Sequence, residues 1–132
     1  PLDGGVFVVG VEATGTVSPA LRMASDLASA TGGSVHAVHA YESISEDEAE
    51  RFREMEASLS SQVSVPLQFV PLAGHPAGVV IDHAKEAGAA AIVIGTRGSG
   101  GFLGLRLGRV PSQLLNHAAC PVIVGRRSDY AA

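Results

Sequence analysis

The sequence predicts an α/β fold, a doubly wound, five-stranded parallel sheet with helices on both faces. Three features lead there. Aliphatic runs of strand length recur at Val6–Val11, Val35–Ala40, Val65–Val70, Ala90–Ile94 and Pro121–Val124, each too short for a helix and bounded by turn residues. Segments of helical periodicity lie between them, so strands and helices alternate, and successive strands need right-handed parallel crossovers. Of the 132 residues 46 % are hydrophobic but only 5 % aromatic. The core therefore rests on Val, Ile, Leu and Ala, the make-up of strands covered on both sides.

The elements follow in order. After the run Val6–Val11, Ser18-Pro19 supplies a helix cap and a proline at the first helical position, and Gly32-Gly33 closes the helix. Leu21, Ala24, Leu27 and Ala28 form its apolar stripe. Val35–Ala40 is the second strand. Ser45 and Glu48 have the spacing of a capping box, and Ala49, Phe52, Met55 and Leu59 continue from it as one core face of an acidic amphipathic helix. Val65–Val70 is the third strand, and Pro66 marks it as an edge or a strand start. His75-Pro76 opens a third helix bearing Val79, Val80, Ala84 and Ala87, which Gly88 ends. Ala90–Ile94 is a strand buried on both faces. Pro111 opens a short helix through Leu114, Leu115 and Ala118, and Pro121–Val124 is the last strand.

Length and the lack of a linker or repeat fit one domain over residues 1–132. The formal charge of −4 argues against general nucleic-acid binding. Charge is unevenly spread, however. Seven acids lie between Glu42 and Glu56, which a solvated helix face accounts for. From Ala87 to Ser128 there are none, while Arg97, Arg106, Arg109, Arg126 and Arg127 are basic. An anion would settle in this second half. The lone Cys120 excludes an internal disulfide and a cysteine-rich zinc site, and its apolar setting points to a buried, inert thiol. No apolar stretch approaches the roughly 20 residues of a membrane helix, and no signal peptide opens the chain. The default compartment is the cytoplasm. A first residue of Pro implies a processed terminus or a piece of a longer protein.

Ligands of doubly wound sheets bind at the C-terminal ends of strands, where strand order switches. The segment Gly95–Gly108 leaves such an end and holds six of the chain's sixteen glycines. Missing Cβ atoms let backbone amides turn inward as an anion nest. The helix starting near Arg109–Pro111 adds free amides at its positive end, and Arg97, Arg106 and Arg109 could neutralise phosphate. A plain glycine-rich surface loop would look similar. There is no Gly-Lys-Ser/Thr of a P-loop, and Gly98, Gly100 and Leu103 do not make the dinucleotide Gly-x-Gly-x-x-Gly.

Gly95-x-x-Gly98, nine residues and then Gly108 resemble the nucleotide-binding signature of the universal stress protein family, Gly-x-x-Gly-x9-Gly-Ser/Thr. The resemblance extends through Ala91-Ile-Val-Ile-Gly95, Asn116-His-Ala-Ala-Cys-Pro-Val-Ile-Val124, Val8-Val-Gly-Val-Glu12 and Val35–Ala40, nearly the whole chain. It implies a Rossmann-like fold of the adenine nucleotide α-hydrolase-like type and a regulatory, non-catalytic stress-response role. It further implies binding of ATP or another adenine nucleotide, with Mg as a possible companion. By position, Val11 and Glu12 would lie near the nucleotide and Ala40 would border adenine. Gly95, Thr96, Arg97 and Gly98 would approach ribose and phosphates, and Gly108, Arg109, Val110 and Pro111 would hold the phosphate tail. A homodimer paired through Pro121–Val124 is also implied. Three positions depart from the family pattern: Glu12 replaces the usual Asp, and Arg109 and Pro111 replace hydroxyl residues.

Those departures keep a second reading open, a family member that binds no nucleotide and works through dimerisation and protein partners, or as a domain appended to a transporter. A slow ATPase is a third, against which stands the lack of an evident general base. His36 and His39, three apart on one strand, face opposite sides and cannot share a metal. His39 reads as a packed or hydrogen-bonded residue near the adenine side, and His117 as a favourable charge at a helix end. His75 and His83 have no identifiable acid-base partner, and Asp26 and Asp82 read as solvated. Arg97 before Gly98-Ser99 rules out a nucleophile elbow.

Overall fold

A computed structural model describes residues 4–12, 16–42, 46–95 and 118–125. In chain order the elements are β1 (Val6–Gly10), α1 (Pro19–Thr31), β2 (Ser34–Tyr41), α2 (Glu46–Gln62), β3 (Leu67–Ala73), α3 (Pro76–Ala87), β4 (Ala91–Gly95) and β5 (Val122–Gly125). All strand pairs are parallel, in the order β3-β2-β1-β4-β5. The chain winds outward from β1 to β3, then returns to β1's other side with β4. The predicted doubly wound sheet is thus present, and its switch in direction falls between β1 and β4.

Local chemistry sets the helix ends. Ser18 caps α1 by accepting from the Leu21 amide at 3.2 Å, ahead of Pro19. At the far end Gly32 takes φ 72°, and the Gly33 amide turns back to the Ala28 carbonyl at 2.8 Å. A left-handed glycine here satisfies carbonyls that the helix leaves open. Gly88, at φ 61°, repeats the device after α3, with Ala89 donating to Ala84 at 2.9 Å. Gly33 has a further duty: a Cβ there would fall on the Gly5 carbonyl, which accepts the Ser34 amide at the start of β2. The expected helix from Pro111 and the Ser45 half of the capping box lie outside the described residues, while Ala118 itself is not helical.

Strand ends elsewhere move by a single residue, but one strand and one helix face differ more from the sequence reading. The third strand runs from Leu67 to Ala73 rather than over Val65–Val70. Pro66 stays outside and contributes only its carbonyl, which accepts the Val35 amide at 2.9 Å. Pro71 is tolerated inside because β3 is an edge strand, where a missing donor can face away from the single neighbouring strand. Ala49, assigned to the buried stripe of α2, is exposed, whereas Phe52, Met55 and Leu59 on that stripe are buried.

Each face of the sheet has its own core. On one, Phe7, Val9, Val35, Ala37, Phe69, Ala91 and Val93 meet α1 through Leu21, Ala24 and Ala28, and α2 through Phe52, Met55 and Leu59. On the other, Val8, Val38, Ile92 and Ile94 meet Ala77, Val80 and Ala84 of α3. Alternate residues of β4 serve opposite cores, and Ala91, Ile92, Val93 and Ile94 are all fully buried. Burying the side chain of Ile92, Val93 or Ile94 contributes about 1.5–3 kcal/mol each. These two cores fix the strand ends that carry the site.

Candidate nucleotide site at the C-terminal edge of the sheet

The strands present their C-terminal ends along one edge. The pairing Gly10↔Val38 puts Val11 level with His39, and Val9↔Val93 puts Gly95 level with Val11. Val11, Glu12, Ala40 and Gly95 therefore gather at the ends of three adjacent strands, β1, β2 and β4, around the switch in strand order. Thr96, Arg97, Gly98, Gly108, Arg109, Val110 and Pro111 lie outside the described residues, as do Arg106, Arg126 and Arg127.

Val11 is held twice. Its amide donates to the Val38 carbonyl at 2.8 Å, and its carbonyl accepts from His39 Nδ1 at 3.2 Å. A carbonyl can only accept, so Nδ1 carries the His39 proton. The His39 ring also lies against Phe52 and Phe69, at centroid distances of 5.6 and 6.1 Å. The sequence reading of His39 as packed and hydrogen-bonded holds, and its effect is to fix where β1 hands over to the loop containing Glu12.

Beyond Ala40 the edge opens into a cavity of about 430 Å³ lined by Ala40, Tyr41, Glu42, Gly74, His75 and Pro76. The Gly74 amide donates to the Tyr41 carbonyl at 3.0 Å, tying the ends of β2 and β3 together. Gly74 has φ 135°, a backbone region that favours glycine. His75 is the N-cap of α3 without a side-chain cap bond. The volume falls within the roughly 300–1,000 Å³ of small-molecule sites. Of these lining residues only Ala40 was foreseen; His75-Pro76 signalled a helix start but not a cavity.

A second convergence was not foreseen at all. His36 Nδ1 and His83 Nε2 are 2.9 Å apart on the α3 side of the sheet, so His83 does have a partner. Burial pushes both imidazoles below their ordinary value; the His83 charge adds to this for His36, and Glu86 partly offsets it for His83. His36 and His39 do face opposite sides, as expected. Cys120 is only partly buried, not enclosed as expected; that burial raises its thiol, partly opposed by a backbone hydrogen bond at Ile92. Among the described residues no three His, Cys, Asp or Glu side chains converge to hold a metal ion, and no helix is long and apolar enough to cross a membrane.

The model of the universal stress protein family matches residues 6–126. The chain belongs to the universal stress protein family. A universal stress protein of Mycobacterium tuberculosis H37Rv is 31 % identical over 135 residues, covering 92 % of this chain and 45 % of the relative. The chain thus spans less than half the length of that relative. Among solved structures, a universal stress protein in complex with cAMP superposes with TM-score 0.71 at 21 % identity, over 94 % of this chain and 98 % of that one. The Archaeoglobus fulgidus universal stress protein in complex with dAMP gives 0.65 at 22 % identity, over 94 % and 98 %. At such identities the likeness shows the shared fold.

Proposed function

We propose that this chain is a regulatory stress-response domain that binds an adenine nucleotide, ATP foremost, at the C-terminal edge of its sheet. One observation carries the reading: the adjacent ends of β2, β1 and β4 bring Ala40, Val11, Glu12 and Gly95 to one edge around the switch in strand order, and Ala40 also lines a cavity large enough for a purine. This is where open α/β sheets take their ligands. The complexes of the two structural neighbours with cAMP and dAMP support the adenine preference.

In this reading Ala40 and the walls beyond it border the base. Val11 and Glu12 line its approach, with the β1 exit held still by His39. Gly95, Thr96, Arg97 and Gly98 serve ribose and phosphates, and Gly108, Arg109, Val110 and Pro111 take the phosphate tail. Arg109 substitutes charge-assisted hydrogen bonds for a hydroxyl. Mg would neutralise phosphate oxygens rather than bind a protein cage. The chain acts as one cytoplasmic domain and as a homodimer paired through Pro121–Val124, and it signals by holding the nucleotide rather than turning it over.

Isothermal titration of the purified chain with ATP, cAMP and dAMP tests this, with native mass spectrometry for nucleotide retained from the cell. Saturable heat with ATP, abolished by Gly98→Trp, is expected; absence of heat with every nucleotide removes the proposal. A second reading, action through dimerisation and protein partners alone, draws on Arg109, Pro111 and the exposed Val124. It expects Gly98→Trp to leave dimerisation and partner capture unchanged with no nucleotide affinity to lose. Phosphate release above background would instead show a slow ATPase.

A further inference from the structure

His36 sits four residues before Ala40 on β2, about 13 Å down the strand from the nucleotide edge, and faces α3 rather than α2. Its Nδ1 approaches His83 Nε2 to 2.9 Å, with ring centroids 5.1 Å apart and planes tilted by 41°. Both rings are half-buried, which disfavours their charged forms. Two neutral imidazoles at this distance share one proton, one ring offering N–H and the other its lone pair. If the donor ring takes its other tautomer, both nitrogens present lone pairs to the same point, with no net gain or loss of protons.

We propose that His36 and His83 form a two-imidazole chelate for a first-row divalent cation of the zinc and copper class, clasping α3 to β2. Tetrahedral zinc with bonds of about 2.0–2.1 Å needs its two nitrogens about 3.3 Å apart. The rings must therefore separate by only about 0.4 Å, within reach of small side-chain rotations.

The mountings of the two rings are rigid. β2 is an interior strand, with His36 in register with Val8 of β1 and Gln68 of β3, and α3 is anchored by buried Val80 and Ala84. Glu86 places negative charge near His83, which favours a cation. Gln68, the register partner of His36 on β3, is exposed. Two protein ligands leave the remaining positions to water. Imidazole selects zinc, copper and nickel over the oxygen-loving magnesium of the nucleotide site, so the two sites would not compete.

The test uses the full chain, stripped with EDTA and free of nucleotide, titrated calorimetrically with zinc sulfate and, in parallel, with a copper(II) salt followed by absorption. One saturable equivalent is expected for wild type and for His117→Gln, a histidine outside the pair. It is lost in both His36→Gln and His83→Gln, and zinc raises the thermal midpoint of wild type only where the pair is intact. Should a glutamine variant fail to fold, ring-nitrogen NMR of wild type decides, because zinc must shift His36 Nδ1 and His83 Nε2. Absence of binding by wild type, unchanged binding in the variants, or shifts confined to histidines outside the pair would overturn the proposal.

Discussion

The two edges of the sheet end differently. At β3 the outward amide of Phe69 is occupied: the Glu56 carboxylate of α2 accepts it at 2.7 Å. Beside this bond Ala49, Phe52, Arg53, Glu56, Phe69 and Pro71 line an open hollow of about 260 Å³. At β5, Val124 is 41 % exposed, the one large hydrophobic so placed among the described residues. An unpaired edge strand invites another chain, and a carboxylate that caps its donors, or a proline that removes one, turns partners away. The β3 edge has both devices, Glu56 and Pro71. Among the described residues, devices against strand pairing stand at β3, and the exposed hydrophobic stands at β5, the contrast that the proposed β5 homodimer requires.

The contrast can be broken most severely from beneath β3. Leu59, 1 % exposed, holds α2 over that edge, and Leu59→Ala should cost about 2–5 kcal/mol in urea unfolding. Next comes the cap itself. Glu56→Ala strands the partly buried Phe69 amide and should cost about 1–3 kcal/mol, with Glu56→Gln recovering part of the loss because an amide oxygen still accepts. If the capped edge is what keeps β3 unpaired, Glu56→Ala also increases concentration-dependent association in sedimentation velocity. On the opposite edge, Val124→Lys should change stability by about 0.5 kcal/mol or less, yet convert a β5-paired dimer to monomer. A dimer that survives Val124→Lys would show that pairing lies elsewhere.

The smallest expected effect comes from the His36–His83 pair between the edges. Both imidazoles are held below the ordinary 6.5 in the folded chain, so the unfolded chain binds protons more readily. Their contribution is complete above 6.5 and is lost as pH falls from there toward the lowered folded values. Stability should therefore decline as pH falls through that interval and not recover below it through this pair, and His36→Gln with His83→Gln should flatten this part of the curve. A slope that persists in the double variant would assign it to other groups.

Where the governing interactions are local, they were legible in advance. The Ser18 cap with Pro19 and the left-handed glycines Gly32 and Gly88 act within one helical turn, so residue type and spacing suffice to place them. β4 was readable because four successive aliphatic residues suit a strand buried on both faces and little else. The ends of β3 were misplaced because Pro66 and Pro71 look alike in sequence, and only an edge position makes one of them acceptable within the strand. The candidate site divides in the same way. The strand ends Val11, Glu12, Ala40 and Gly95 followed from pattern and family resemblance, whereas the cavity walls at Tyr41, Gly74 and His75 depend on how β2 and β3 finish side by side.

Aliphatic periodicity, turn residues and the glycine spacing after β4 determined the layered parallel architecture and the family, because burial and backbone freedom are properties that each short segment carries within itself. Tertiary structure alone decided which distant polar groups meet. His36 and His83 are 47 residues apart, His39 and Val11 are 28 apart, and Glu56 and Phe69 are 13 apart. Hydrogen bonds act over about 3 Å and depend on direction, so no periodicity in the chain announces them before the sheet and helices have packed.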